Sequence, residues 1–137
     1  MQSRRRRKGF TLLELAVTML VIALLAVIAY PSYQDNLRKG RRVAAQSYML
    51  DAANREQQYL LDARSYAVGA DAFAVLNLTP PSDVAPFYTL TIQPLAPTVP
   101  PTYTIVATPI VGSPQASDEV LTLDHQGNRT RGGNPGW

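Results

Sequence analysis

Cysteine is absent from the 137 residues, which excludes disulfides, thiolate metal sites, zinc ribbons and cysteine nucleophiles. A lone histidine, His125, excludes a multi-histidine metal centre and sits in a polar turn, where an exposed loop side chain is expected. There is no nucleophile elbow, no phosphate-cradling glycine loop and no histidine pair, so no enzyme, cofactor or metal is expected. Basic residues are missing between Lys8 and Arg38, and proline is missing from residues 32–62, where Gly40 is the only glycine.

The formal charge of +3 resembles that of a nucleic-acid binder, but its distribution argues otherwise. Arg4, Arg5, Arg6, Arg7 and Lys8 stand ahead of any acid, and from Phe10 onward 8 basic side chains face 10 acidic ones, a net of −2. The length suits one modest domain plus an anchor.

Residues 10–30 form an apolar run in which Glu14 is the single charge. At 1.5 Å per residue it makes about 32 Å of helix, enough to cross a bilayer. Basic residues before the run and none directly after it place the N-terminus in the cytoplasm and the remainder of the chain outside. An ionised carboxylate inside the hydrocarbon costs on the order of 2.5–3.5 kcal/mol, so Glu14 calls for a partner or a function. Cleavage between Gly9 and Phe10 would create a cation, an α-amine four residues from Glu14 on the same helical face, or available to the Glu14 of another chain. A competing reading is an ordinary secretory signal cut after Val27-Ile28-Ala29, which would leave an exported soluble module beginning at Tyr30.

Gly9-Phe10-Thr11-Leu12-Leu13-Glu14-Leu15 after a short basic leader closely resembles the class III signal of type IV pilins and of the secretion pseudopilins. The resemblance implies that a prepilin peptidase cuts after Gly9, that Phe10 is N-methylated, and that Glu14 registers each subunit in a filament. Residues 29–34, the basic Arg38, Lys39, Arg41 and Arg42 cluster, and the Leu121-Thr122-Leu123 segment with its later Trp137 are most similar to PilE-type minor pilins. That similarity implies one long helix kinked at Pro31, although proline at that point is also an ordinary helix stop. Two departures stand out. Ala23 occupies a position where many relatives carry glycine, and the cysteines that commonly pin the tail are replaced in the neighbourhoods of Asp118-Glu119 and Pro135-Gly136.

Beyond the leader (1–9) and the transmembrane or filament-core helix (10–30), residues 31–62 read as an amphipathic helix. Leu37, Ala44, Ala45, Tyr48, Ala52 and Tyr59 make its apolar stripe, and Arg38, Arg42, Asp51 and Glu56 lie elsewhere on the surface. The basic cluster reads either as a solvated face near anionic lipid or as a contact with acidic groups of a neighbouring subunit. Residues 63–86 read as a connection with a short helix at 71–76. Residues 87–137 form the head, with strands at 87–93, 102–108 and 119–124 and a fourth at 128–131 after the Asp124-His125-Gln126-Gly127 turn. Residues 94–101 hold four prolines and read as an extended connection. The order predicts an α+β fold, a long helix packed on a small antiparallel sheet.

Without cysteines, the tail is held either by burial of Trp137 against the sheet or by a cation on Asp118, Glu119 or Asp124. Arg129 and Arg131 beside Gly132-Gly133 offer a thin basic surface for DNA, and nucleic acid is not the expected partner. The expected function is a minor pilin subunit of a type IV pilus, serving motility, adhesion or DNA uptake. Its expected partners are other pilins, the prepilin peptidase and the inner-membrane assembly platform. It would sit as a single-pass inner-membrane protein and then in the pilus at the cell surface. A major pilin or a type II secretion pseudopilin is the alternative, with a DNA-binding pilin a further one.

Overall fold

The computed structural model describes residues 10–94 and 100–137. The basic leader with Gly9, and the middle of the proline-rich connection, lie outside the described residues. The rest is α+β: a long helix, a short helix and a five-stranded antiparallel sheet. An N-terminal compact unit ends at Leu37 and a second begins at Arg38.

Helix α1 runs Leu12–Ala63, with Pro31 inside it rather than at its end. Thr11 opens the helix: its Oγ1 accepts the Glu14 N–H at 3.2 Å, the first half of a capping box. At the other end Arg64 turns into the left-handed region (φ 56°), and its N–H still donates to Leu60 O at 2.9 Å. No glycine signals that stop.

In the second unit α1 buries Ala45, Tyr48, Met49, Ala52 and Glu56, spaced three and four residues apart on one face. The stripe read from sequence is correct at Ala45, Tyr48 and Ala52. Ala44 and Tyr59 are only partly buried, while Met49 and Glu56 take fully buried places.

After α1 come a four-residue helix, α2 (Ala72–Val75), and strands β1 (Tyr88–Pro94), β2 (Tyr103–Pro109), β3 (Leu121–Asp124), β4 (Arg129–Arg131) and β5 (Asn134–Pro135). Each strand pairs with the next in a meander. Ile92 lies opposite Ile105, Ile105 opposite Leu123, and Ala107 opposite Leu121. One face of β1, β2 and β3 is therefore apolar: Tyr88, Ile92, Tyr103, Ile105, Ala107, Leu121 and Leu123 form one cluster with Ala45, Met49 and Ala52 of α1. Burying each large member stabilises the head by roughly 1.5–3 kcal/mol.

The fifth strand adds to the sheet read from sequence. Gly132 and Gly133, both at positive φ (56° and 84°), form the two-residue loop between β4 and β5. That loop needs positive φ at both places, which glycine supplies without strain.

Candidate functional site

In the N-terminal unit, Phe10 is 85% exposed and the apolar side chains from Leu12 to Ile28 are open on all sides of the helix. This segment is long and apolar enough to cross a membrane. Glu14 lies in its first turn, where a carboxylate faces the positive end of the helix dipole. No basic side chain among the described residues pairs with it. One turn on, Thr18 Oγ1 donates to the carbonyls of Glu14 (2.8 Å) or Leu15 (2.9 Å), so its hydroxyl is satisfied within the apolar run. The arrangement is an exposed apolar helix with an acid at its head that no described basic side chain compensates.

In the head, the polar centre is Asp118, whose side chain is 1% exposed. Arg42 of α1 donates Nε at 2.8 Å to Oδ2 and Nη2 at 2.6 Å to Oδ1. The Tyr88 hydroxyl donates to Oδ2, Gln115 Nε2 donates to the same oxygen at 2.9 Å, and Arg131 Nη2 reaches Oδ1 at 3.3 Å. Burial alone would raise the Asp118 pKa, but the bonds from Arg42, Tyr88 and Gln115 overcome it and hold the carboxyl well below the ordinary carboxylate range. Burial and then the bond to Asp118 push the Tyr88 hydroxyl up. The bond to Asp118 likewise raises the Arg42 guanidinium against its own desolvation.

Three sequence readings are corrected here. Arg42 is not a solvated surface charge, because it turns inward to a carboxylate of its own chain. The basic cluster thus divides: Arg42 holds Asp118, and the Arg41 guanidinium stacks 4.2 Å from the Phe87 ring centre. Asp118 does not hold a cation, because guanidinium, amide and hydroxyl donors occupy its oxygens. Among the described residues no group of three acidic, histidine or cysteine side chains could hold a metal. Glu56, read as a surface residue, is fully buried.

The tail is fastened by side-chain contacts of Arg131, Trp137 and Arg129. Arg131 pairs with Glu119 at 2.9 Å as well as with Asp118, Trp137 Nε1 donates to Thr122 O at 3.1 Å, and the Arg129 guanidinium lies 4.9 Å over the Trp137 ring. The turn before β4 is closed by Asp124, whose Oδ1 accepts the N–H groups of Gln126 and Asn128, both at 2.9 Å. Burial opposes ionisation of Asp124, and the Asn128 and Gln126 donors more than offset it, so its pKa is lowered. The two arginines read together from sequence have different surroundings: Arg129 is exposed against Trp137, whereas Arg131 is committed to two carboxylates. Nothing local in the sequence marked Gln115, or Arg42 and Tyr88 as the donors of Asp118, since these come from α1, β1 and the loop before β3.

The fold and the N-terminal segment define a class that comparison with known proteins makes explicit. Residues 31–123 match the family described as "Type IV minor pilin ComP, DNA uptake sequence receptor", and residues 4–30 match the "Prokaryotic N-terminal methylation motif". The first match covers more than half of the chain, and the chain belongs to that family of type IV pilins. Curated relatives include the "Type IV wide pilus major component PilA4" of Thermus thermophilus, 31% identical over 74 residues, which are 54% of this chain and 56% of that protein. "Fimbrial protein EcpB" of Eikenella corrodens is 47% identical over 36 residues, 26% of this chain and 23% of the relative. "Fimbrial protein Q" of Moraxella bovis is 42% identical over 53 residues, 34% of each chain. The chain thus spans little more than half the length of the first of these and less of the others.

Proposed function

We propose that the protein is a minor subunit of a type IV pilus. It is made as a membrane prepilin, cut after Gly9 by a prepilin peptidase and N-methylated on Phe10. The observation that carries this reading is Glu14, an acid without a basic partner among the described residues, at the head of an exposed apolar helix and four residues from the terminus that cleavage would create. In the filament the Glu14 carboxylate meets the Phe10 amine of a neighbouring subunit, and the apolar helices bury one another. The basic leader keeps the N-terminus cytoplasmic, so the inner-membrane assembly platform receives a single-pass subunit with its head outside. Pro31 interrupts the helix hydrogen bonding and gives α1 a point at which to bend during packing. Mass analysis of the mature N-terminus, with and without the peptidase, tests the reading. A chain beginning at N-methylated Phe10 supports it, and a chain that keeps the leader or begins at Tyr30 overturns it.

A second reading, a pilin that captures DNA, is favoured by the receptor description of the matching family and by the exposed Arg129 stacked on Trp137. Salt-sensitive binding of duplex DNA that weakens in Arg129→Ala would support it. Arg131→Ala is the less direct probe, because its partners are Asp118 and Glu119. Subunit abundance in purified filaments separates a minor from a major pilin, and the system that fails on deletion separates a pilin from a pseudopilin.

A further inference from the structure

The Glu56 side chain is wholly buried on the face of α1 that carries the core. Among the described residues its one hydrogen-bond donor is the backbone N–H of Ala67, 2.9 Å from Oε2, and Oε1 is buried with no partner. No basic side chain among the described residues pairs with it. A native core ordinarily satisfies a buried carboxylate on both oxygens or supplies a cation, and this site does neither.

Residues 64–69 form a strap over Glu56. It leaves α1 through the left-handed Arg64, lays Tyr66 edge-on against Tyr103 (4.6 Å between ring centres) and buries Ala67 over the carboxyl. It is then tied to the sheet where Gly69 N–H donates to Ile92 O at 2.8 Å.

We propose that Glu56 is a proton-controlled latch: the strap is closed when Oε1 carries a proton and is loosened when the carboxyl ionises. A proton on Oε1 removes the charge and leaves Oε2 free to keep accepting from Ala67. An ionised Glu56 has one N–H to set against the loss of water, so hydration requires the strap to lift.

Burial pushes the carboxyl up to about 7, against the opposing pull of the Ala67 N–H. The titratable group facing it from β2 is the Tyr103 hydroxyl, which burial and then the Glu56 charge push up to about 12; it is neutral over the working range. Tyr66 packs on that ring from the strap side. Asp124 and His125, at the end of β3, act on Tyr103 rather than on Glu56. The folded carboxyl binds its proton more tightly than the exposed one does, so closure is favoured in acid and weakens as pH rises from about 4.5 to about 7.

The test is an NMR titration of the full chain in detergent micelles, following the Glu56 side-chain carboxyl carbon and the Ala67 and Gly69 amides. The carboxyl carbon and the Ala67 amide are expected to titrate together with a midpoint near 7. Exchange protection at Ala67 and Gly69, corrected for the intrinsic pH effect, is expected to fall more than about tenfold between about pH 5 and 7 and then level off. Glu56→Gln should remove both responses. His125 packs against the Tyr103 ring, so His125→Asn serves as the control and should leave both responses in place. A carboxyl midpoint near 4.5, protection that does not change with pH, or a response that survives Glu56→Gln would overturn the latch. The carboxyl titration needs no variant, so the result stands even if Glu56→Gln does not fold.

Discussion

Arg42 on α1 and Asp118 before β3 are joined by a two-pronged contact across 76 residues of chain, with Nε donating to one carboxylate oxygen at 2.8 Å and Nη2 to the other at 2.6 Å. The helix is thereby tied to the head at the loop that leads into β3. Tyr88, Gln115 and Arg131 complete the fastening around the same carboxylate.

Removing one side of that pair leaves either a buried carboxylate short of a donor or a guanidinium without its acceptor. Arg42→Ala and Asp118→Ala are each expected to cost about 3–5 kcal/mol in urea unfolding at neutral pH. The double variant should cost less than the sum of the singles, with a coupling of about 1–3 kcal/mol. Strict additivity would show that the contact does not bind helix to sheet.

Acid should undo the same contact. Asp118 is depressed in the folded state, so its stabilisation is present above its ordinary value of 3.8 and is lost as pH falls below it. Unfolding followed by circular dichroism should show a loss of stability below about pH 4, and Asp118→Asn should flatten that limb. Glu56 works in the opposite sense, favouring the folded head in acid. Stability should therefore peak between the two windows.

The tail should respond locally. Trp137→Phe removes the indole donor to Thr122 O and is expected to cost about 0.5–1.5 kcal/mol. Arg129→Ala removes the guanidinium over the indole and is expected to cost about 0.5–1 kcal/mol. Both should lower exchange protection of the Gly136 amide, which donates to Arg129 O at 2.8 Å, before the rest of the sheet is affected.

Charge rather than shape should govern assembly at Glu14. Glu14→Gln keeps the side-chain size and the backbone N–H to Thr11 Oγ1 but cannot ion-pair with an amine. Membrane insertion and cleavage after Gly9 should continue, while recovery in sheared filaments should drop at least about tenfold, as in Glu14→Ala. Normal recovery of Glu14→Gln would exclude an ion pair as the assembly contact.

By itself the sequence determined what local pattern can carry. The apolar run broken only by Glu14, the alternation in β2 and β3 and the Asp124–Gly127 turn all depend on neighbours a few residues apart, so helix, sheet and family were legible there. Only the tertiary structure decided that Arg42 and Glu56 turn inward and that Asp118 gathers donors from α1, β1 and β4. It also made the short Asn134–Pro135 segment a fifth strand. The reason is physical: charged and polar residue types default to water, and only a partner or a desolvating wall brought close by folding overrides that default.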